Sequence, residues 1–249
     1  MGEILIAEDN PMKRLERVQR LMKKWGITYV DAIEDYRSFI QEALEHSPSS
    51  LLLDACCGSD SSSIDGLNPF VHKIGFDVDT VALKKNTLLH HAVSGDLIAL
   101  PFKNNSFQIV CLHWGIEHIQ DPLAALQEIY RVLNPGGHVV LMTTNTWHPF
   151  YFLAKITPHS FHQFVRKKLL EIEDEEAFKT HYRANTPFQM KNVLHRAGFS
   201  KIELRYRSNP SVYAFSSISF YLGFLYEKIT DFSWFKNFKM FMVACGEKD

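Results

Sequence analysis

Apolar segments alternate with helical segments between residues 51 and 145, and this alternation constrains the fold more than any other feature. The sequence predicts strands at LLLDA (51–55), VHKIGFDVD (71–79), FQIVCLHW (107–114) and HVVLMTTN (138–145). It predicts helices from TVALKKN (80–86) and at PLAALQEIYRVLN (122–134), with Pro122 in the first turn and Pro135-Gly136-Gly137 ending the second helix. Apolar strands separated by helices form a parallel sheet that is covered on both faces. The pattern therefore predicts a doubly wound α/β fold.

The flanking residues lack this alternation. Residues 1–47 are predicted to form an N-terminal helical region, with helices at 11–26 and 31–46. Residues 146–186 are rich in aromatic and histidine side chains at helical spacing and are predicted to form a helical insert. Residues 187–249 contain a helix capped by Gly198, an alternating strand KIELRYR, an aromatic helix and a final strand FKMFMVACG. They are predicted to complete the sheet of the core, residues 48–145.

Composition restricts the partners and the compartment. The net charge of −1 gives no basic field for nucleic acid. The four cysteines form no CxxC pair, which predicts reduced thiols, no zinc site and a cytoplasmic protein. No segment is apolar enough to predict a transmembrane span. The basic amphipathic helix at 11–26 leaves weak peripheral membrane association open, and the sequence does not predict an oligomeric state.

Three aspartates lie near the ends of consecutive predicted strands. Asp54 ends the first strand, Asp77 follows about 20 residues later at the end of the second, and Asp96 precedes the third. Ligands of such sheets bind outside the carboxyl ends of the strands, and an acid at this spacing binds ribose hydroxyls. Each aspartate alone would be an ordinary turn residue. The three together predict a nucleoside-binding crevice.

The charge of the first loop distinguishes between cofactors. A dinucleotide would place its pyrophosphate on this loop, where Asp60 would repel it. S-adenosylmethionine has no phosphate and carries a positive sulfonium and a positive ammonium, which an acidic loop attracts. The loop LDACCGSD therefore favours S-adenosylmethionine over a nicotinamide cofactor.

Several phrases of this sequence resemble the class I S-adenosylmethionine-dependent methyltransferases of the "methyltransferase domain 11" type. These phrases are DACCGSD, GFDVD, GDLIALPFKNNSFQIV and, most specifically, EHIQDPLAALQEIYRVLNPGGHVVLMT. The resemblance covers about residues 48–200 and implies a single Rossmann-like domain, 1–249, with a seven-stranded, mostly parallel sheet. It implies that the insert after the fifth strand lines the pocket for the methyl acceptor.

The resemblance also implies which residues bind the cofactor. Asp77 would bind the ribose hydroxyl pair, Asp96 the adenine amino group, Leu97 the ring through its backbone, and His113 the methionine part. The other residues implied in cofactor binding are Asp54, Ala55, Cys56, Gly58 and Val78.

The first loop departs from the family pattern Asp-x-Gly-x-Gly-x-Gly. Cys56 replaces the first glycine and Asp60 the third, and Gln108 stands where the family usually has aspartate. Cysteine is small enough for close approach of the cofactor if its φ is negative, whereas Asp60 lacks the freedom of glycine at positive φ. A methyltransferase fold that binds the cofactor without turnover is therefore an alternative.

His113 and His118, at and after the end of the strand predicted at 107–114, are candidates for a general base. His118 is the candidate base, although the Glu-His pair of the family commonly caps the following turn, and this structural role is favoured. Related quinone O-methyltransferases carry a Glu-x-x-Glu-His metal box at this place. Trp114 occupies its first acidic position here, so no metal is expected.

The aromatic insert suggests a small apolar or amphipathic acceptor, methylated on oxygen, nitrogen or carbon. Alternatively, these aromatic side chains fill the core of the insert itself. The candidate acceptor residues in this region are His148, Tyr151, His181, Tyr182 and Arg183.

A phosphate-accepting receiver domain is a further alternative. The acidic pair Glu8-Asp9 in ILIAEDNP (4–11), Asp54 and Lys103 roughly follow the receiver order. A receiver does not account for EIYRVLNPGG and the strand after it, so this reading is disfavoured.

Overall fold

The computed structural model describes residues 11–27, 30–45, 50–67, 71–156, 179–209, 213 and 216–249. Seven strands form one sheet in the order β3-β2-β1-β4-β5-β7-β6. The strands are β1 (Leu51–Ala55), β2 (His72–Asp77), β3 (His91–Ser94), β4 (Phe107–His113), β5 (Leu133–Thr144), β6 (Ser200–Arg207) and β7 (Phe241–Glu247). The helices are α1 (Pro11–Trp25), α2 (Ala32–Leu44), α3 (Thr80–Lys85), α4 (Pro122–Val132), α5 (Pro149–Ile156), α6 (Pro187–Ala197) and α7 (Ser217–Thr230).

Strands β1 to β5 are parallel, and β7 runs antiparallel between β5 and β6. The carboxyl ends of β1, β2, β4 and β5 therefore meet at one edge of the sheet, together with the start of β7. The predicted doubly wound, mostly parallel seven-stranded sheet is confirmed.

Both faces of the sheet are covered by helices. Leu126 of α4 and Leu194 of α6 belong to the apolar cluster on one face, and Ile40 of α2 to the cluster on the other. A side-chain oxygen caps the first turn of each of these helices, supplied by Asp121, Thr186 and Asp31 respectively. Outside this three-layer body, Val18 and Leu21 of α1 pack against Phe220 of α7.

Two elements differ from the sequence prediction. The short strand β3 was not predicted, because its residues HAVS show no alternation of apolar and polar side chains. Only Val93 among them is partly buried. Helix α4 was predicted to run to residue 134, but it ends at Val132, and β5 begins at Leu133 and continues through Pro135-Gly136-Gly137. This extension is stabilised by backbone pairing, since Gly136 N donates to Lys248 O at 2.8 Å and Lys248 N donates to Gly137 O at 2.8 Å.

The predicted helical insert is described only at its two ends. Helix α5 begins three residues into it, and residues 179–186 return to the body without regular structure. Residues 157–178 of the predicted insert, and Glu8-Asp9, lie outside the described residues.

Candidate functional site

The loop after β1 is anchored to the end of β2. Gly58 has a φ of +51°, and its N–H donates to Oδ2 of Asp77 at 2.8 Å. Cys57 N donates to the carbonyl of Phe76 at 3.3 Å. Asp77 is buried, and its other oxygen accepts from Asp79 N at 2.8 Å. A single carboxylate therefore fixes both loops that a nucleoside would contact.

Cys56 adopts a backbone conformation that the sequence analysis did not expect. Its φ is +58°, so the condition of a negative φ is not met, and this residue lies in the region that favours glycine. Its side chain fills the space beside Gly115, where an added Cβ would lie 2.7 Å from the Cys56 Cβ. Gly115, rather than residue 56, is therefore the glycine that permits close approach of the two loops.

Asp60 does not need the freedom of glycine. Its φ lies outside the left-handed region, and its carboxylate accepts from the N–H and the hydroxyl of Ser62 at 2.9 Å and 2.7 Å. These two hydrogen bonds form an Asx turn, which leads into the 3-10 helix Ser62–Ile64. The replacement of the third family glycine is therefore accommodated by local hydrogen bonds.

Three acids form a negative cluster beneath the loop. Burial, with a smaller contribution from the charges of Asp60 and Asp77, raises the pKa of Asp54 to about 7 in spite of a hydrogen bond from Ser61 that lowers it. The Ser61 hydroxyl donates to Asp54 Oδ2 at 2.6 Å. Residues 54–65 contain no basic residue. The cluster therefore suits a cationic ligand and disfavours a phosphate.

The residues predicted to contact the nucleoside lie at the carboxyl ends of β1, β2 and β3 and in the loops that follow them. Val78 is 64% exposed, and Ala55, which precedes the loop, is fully buried in β1. Asp96 is exposed, and its Oδ1 accepts from Ile98 N at 3.2 Å. The side chain of Leu97 is buried in the core, so only its backbone is available to a ligand.

An aromatic row runs along the carboxyl ends of β4 and β5. Adjacent ring centroids in this row lie 5.1 to 6.3 Å apart. Burial lowers the pKa of His113 to about 4, so its imidazole is neutral at pH 7. The row begins beside the loop after β1 and ends at α5. In order along the sheet edge, its members are Tyr36, His113, Trp114, Phe241, Tyr151 and His148.

A buried polar network holds the turn after β4 against the segment that returns from the insert. Thr143 Oγ1 donates to Glu117 Oε2 at 2.9 Å, and Asn185 Nδ2 donates to Thr143 Oγ1 at 2.8 Å. The Glu117 carbonyl accepts from His181 N at 2.7 Å and from Tyr182 N at 3.2 Å. Burial raises the pKa of the Glu117 carboxyl. The network therefore fixes His181 and Tyr182 through their backbones.

His118 belongs to the same corner. Its Nδ1 lies 3.2 Å from the carbonyl of Lys179, which accepts a hydrogen bond from the imidazole. This contact joins the turn after β4 to the returning segment and supports the structural role that the sequence analysis favoured.

His148 is buried in a hydrogen-bonded chain. Its Nδ1 accepts from Phe150 N at 3.2 Å, so its Nε2 carries the proton and donates to the Tyr213 hydroxyl at 2.7 Å. Tyr213 in turn donates to Glu227 Oε1 at 3.0 Å. Burial lowers the pKa of His148 to about 4. His148 therefore holds α5 against α7 as a neutral imidazole.

We expect this histidine to destabilise the protein in acid. The unfolded chain takes up its proton below about pH 6.5, whereas the folded chain does so only near pH 4, so stability is complete above 6.5 and falls as the pH is lowered. The loss is about 3 kcal/mol by pH 4. Urea unfolding at pH 7.5 and pH 4.5 should give a smaller difference for His148→Gln than for the unaltered chain.

Burial also lowers the pKa of His113, so acid destabilises the folded chain through this residue as well. Part of the pH dependence of stability will therefore remain in His148→Gln. His195→Gln, on the exposed face of α6, is the matched control and should leave the difference unchanged. An equal difference in His148→Gln and the unaltered chain would contradict the assignment of His148 as buried and neutral.

The structure brings together most, but not all, of the predicted site residues. Arg183 is exposed and has no place in the aromatic row. Tyr36, Glu117 and Phe241 were not predicted as site residues. Glu117 stood beside His118 in a phrase already recognised, but Tyr36 and Phe241 carry no local signal, because only the sheet order brings α2 and β7 to this edge.

Within the described ranges, no group of three or more histidine, cysteine, aspartate or glutamate residues has the geometry to hold a metal ion. None of the helices in those ranges combines the length and the apolarity that are needed to cross a membrane.

Comparison with known proteins identifies the family of this chain. A family model described as "Methyltransferase domain" matches residues 29–204. The chain is 32% identical over 183 residues to a demethylmenaquinone methyltransferase of Streptomyces avermitilis, covering 68% of this chain and 77% of that protein. It is 28% identical over 185 residues to the demethylmenaquinone methyltransferase of Staphylococcus haemolyticus, with coverage of 68% and 77%.

A solved structure shares the fold at much lower identity. The geranyl diphosphate C-methyltransferase of Streptomyces coelicolor A3(2), in complex with Mg²⁺, geranyl diphosphate and S-adenosyl-L-homocysteine, superposes with a TM-score of 0.55 at 12% identity. The match covers 98% of this chain and 86% of that one.

The fold and the acidic loop define a class I methyltransferase, and the family match makes the assignment. The chain belongs to the methyltransferase-domain family and is an enzyme that uses S-adenosylmethionine. The binding-only and receiver alternatives find no support in these comparisons. The residues present fit the cofactor, because the negative cluster of Asp54, Asp60 and Asp77 matches its two positive charges and Gly58 leaves open space above the loop.

Proposed function

We propose that this enzyme transfers a methyl group from S-adenosylmethionine to an apolar small molecule of the demethylmenaquinone type. The observation that carries this proposal is the aromatic row, in which the partly exposed rings of His113, Trp114 and Tyr151 provide an apolar surface for an acceptor. The names of the two relatives point to the same class of acceptor.

The cofactor residues are assigned by the loops that they fix. Asp77 would bind the ribose hydroxyls with the second lone pairs of its two carboxylate oxygens. Asp96 and the exposed Val78 would hold the adenine, with Leu97 contacting it through the backbone. Asp54 and the backbone of residues 55–58 would hold the methionine part beside His113.

Little acid–base chemistry is required of the protein. The bound cofactor supplies a methyl group on a positive sulfur, which is an excellent leaving group, so placing the acceptor is most of the task. The imidazole of His113 lies in the aromatic row, and because burial lowers its pKa to about 4 it stays neutral and is a weak base, so we assign it contact with the bound ligands rather than proton transfer. His118 is a positioning residue in this proposal, since its imidazole binds the carbonyl of Lys179.

The thiols support a cytoplasmic enzyme. Cys56, Cys57, Cys111 and Cys245 are all free, and Cys57, Cys111 and Cys245 are buried. Free thiols are retained in reducing compartments.

The proposal is tested by methyl transfer to reduced demethylmenaquinone with a radiolabelled methyl donor. We expect a labelled lipid product. Tyr151→Leu should raise the KM for the acceptor about tenfold, because a ring face that contacts the acceptor is lost. Tyr151→Phe retains the ring and is the matched control, with a KM close to that of the unaltered enzyme.

Neither variant should change the Kd for S-adenosylmethionine. A large loss in kcat for Tyr151→Phe would instead assign the chemistry to the phenol. Absence of transfer to the quinol together with transfer to a polar amine would overturn the proposed acceptor class.

A further inference from the structure

Helix α7 and the turns after it present an unusually apolar surface. Its side chains at 218, 222, 225 and 229 repeat every three or four residues and form one helical face that points to solvent. Ile218 is 74% exposed and Trp234 is 89% exposed. We call this set the α7 surface; its members are Ile218, Leu222, Leu225, Ile229, Phe232 and Trp234.

The opposite face of α7 is already packed. Phe220 on that face packs with Val18 and Leu21 of α1. At the margin of the α7 surface, the exposed ring of Tyr221 lies against Trp25 of α1 with ring centroids 4.9 Å apart. Helix α7 therefore exposes an apolar face to solvent although its other face is already packed on the protein, which is the reverse of an ordinary surface helix. Exposed apolar side chains of this number mark an interaction surface.

Basic side chains outnumber acidic ones around the α7 surface, where the exposed Asp231 forms ion pairs with Lys228 and Lys239. Helix α1, which packs on α7, contains six basic residues and one acidic residue, in a chain whose net charge is −1. The side chains of Arg20, Lys23 and Lys24 are exposed. Lys236 is also exposed, next to Phe235 in the turn that follows α7. Positive charge, tryptophan and aliphatic side chains together are typical of a helix that lies on an anionic membrane.

We propose that the α7 surface docks this enzyme on an anionic lipid bilayer, with α7 in the interface and α1 contacting the headgroups. The charge distinguishes this partner from a second copy of the chain. A symmetric dimer on this surface would bring two basic α1 helices together, whereas a bilayer containing anionic lipid neutralises them.

The docked surface adjoins the acceptor side of the candidate site. Trp147, which follows β5, stacks on Phe238 with ring centroids 5.8 Å apart, and Tyr226 of α7 packs against His148 at 5.2 Å. These contacts connect the region around the α7 surface to the aromatic row, so docking there would bring the candidate site close to the bilayer.

The test is flotation of the full-length chain with vesicles of phosphatidylcholine alone and of phosphatidylcholine mixed with phosphatidylglycerol. We expect binding to the mixed vesicles to be at least about tenfold stronger, and to weaken in high salt. Leu222→Ser with Trp234→Ser should lower this binding about tenfold or more, because two side chains that enter the interface are lost. Ile218→Ser with Leu225→Ser is a second pair with the same expected result.

Two matched controls on α6 show whether vesicle binding depends on the α7 surface and α1 or on any exposed aromatic or basic side chain. Phe188→Ser changes an aromatic side chain that is 72% exposed on α6, away from the α7 surface, and should leave vesicle binding unchanged. Lys23→Gln with Lys24→Gln should lower binding to the mixed vesicles several-fold, whereas Lys191→Gln on α6 should not.

The outcomes show separately whether the docking proposal or the proposed acceptor class fails. The Kd for S-adenosylmethionine should be unchanged in all variants. Equal binding to both kinds of vesicle, binding to neither, or a dimer in light scattering that Trp234→Ser dissolves would overturn the docking surface. Transfer to a detergent-dispersed quinol would persist in that case, because the acceptor class does not depend on docking.

Discussion

Asp77→Asn will weaken binding of S-adenosylmethionine about a hundredfold or more. The carboxylate accepts from Gly58 N and Asp79 N at 2.8 Å each, and in the proposed complex it also accepts from the two ribose hydroxyls. Hydrogen bonds to a charged acceptor contribute about 1.5–3 kcal/mol each, and the amide of asparagine replaces one acceptor by a donor that faces an N–H. Calorimetric titration with S-adenosylmethionine measures the change.

A modified ligand separates the loss of ribose contacts from loosening of the loop. S-adenosylhomocysteine without its two ribose hydroxyls should bind the unaltered enzyme much more weakly than the complete ligand, whereas Asp77→Asn should bind both about equally. Asp79→Asn is the matched control, because asparagine caps helix α3 as well as aspartate does. If Asp77→Asn still prefers the complete ligand, the ribose is bound elsewhere.

Gly115→Ala will destabilise the protein by about 1–3 kcal/mol and will weaken cofactor binding. The added Cβ would lie 2.7 Å from the Cβ of Cys56, so the loop after β1 must move. The backbone of Gly115 itself accepts alanine without strain, since its φ is −110°. Cys56→Gly should therefore restore both stability and affinity in the double variant.

The double-mutant cycle gives the coupling between the two positions, which we expect to be about 1–3 kcal/mol in favour of the double variant. Gly136→Ala is the control for backbone strain alone, because Gly136 has a φ of +73° and open space around it. Its cost should not change when Cys56 is replaced. Additive effects of Gly115→Ala and Cys56→Gly would show that the two loops do not meet as described.

The identity of the cofactor could be predicted because it depends on local charge. The aspartates at the ends of two strands and the absence of basic residues in the loop are properties of short segments, and they remain true in any packing. The conformation of Cys56 could not be predicted in the same way. Its side chain is accommodated because Gly115, in the turn after β4, leaves room for it.

The aromatic row also depends partly on local sequence and partly on tertiary packing. His148 and Tyr151 were recognised as polar aromatic residues near the acceptor, but the sequence did not distinguish contact with a ligand from packing. The hydrogen bonds of His148 to Phe150 N and to the Tyr213 hydroxyl favour packing for this residue. Phe241 enters the row because β7 is inserted antiparallel between β5 and β6.

The sequence by itself determined the α/β fold and the class of cofactor. Each depends on periodicity or charge within about ten consecutive residues, which tertiary packing leaves unchanged. The tertiary structure decided how Cys56 is accommodated, which rings meet in the aromatic row and where the apolar face of α7 is exposed. These features depend on contacts between segments that are distant in the chain, and local pattern carries no information about which distant residue fills a given space.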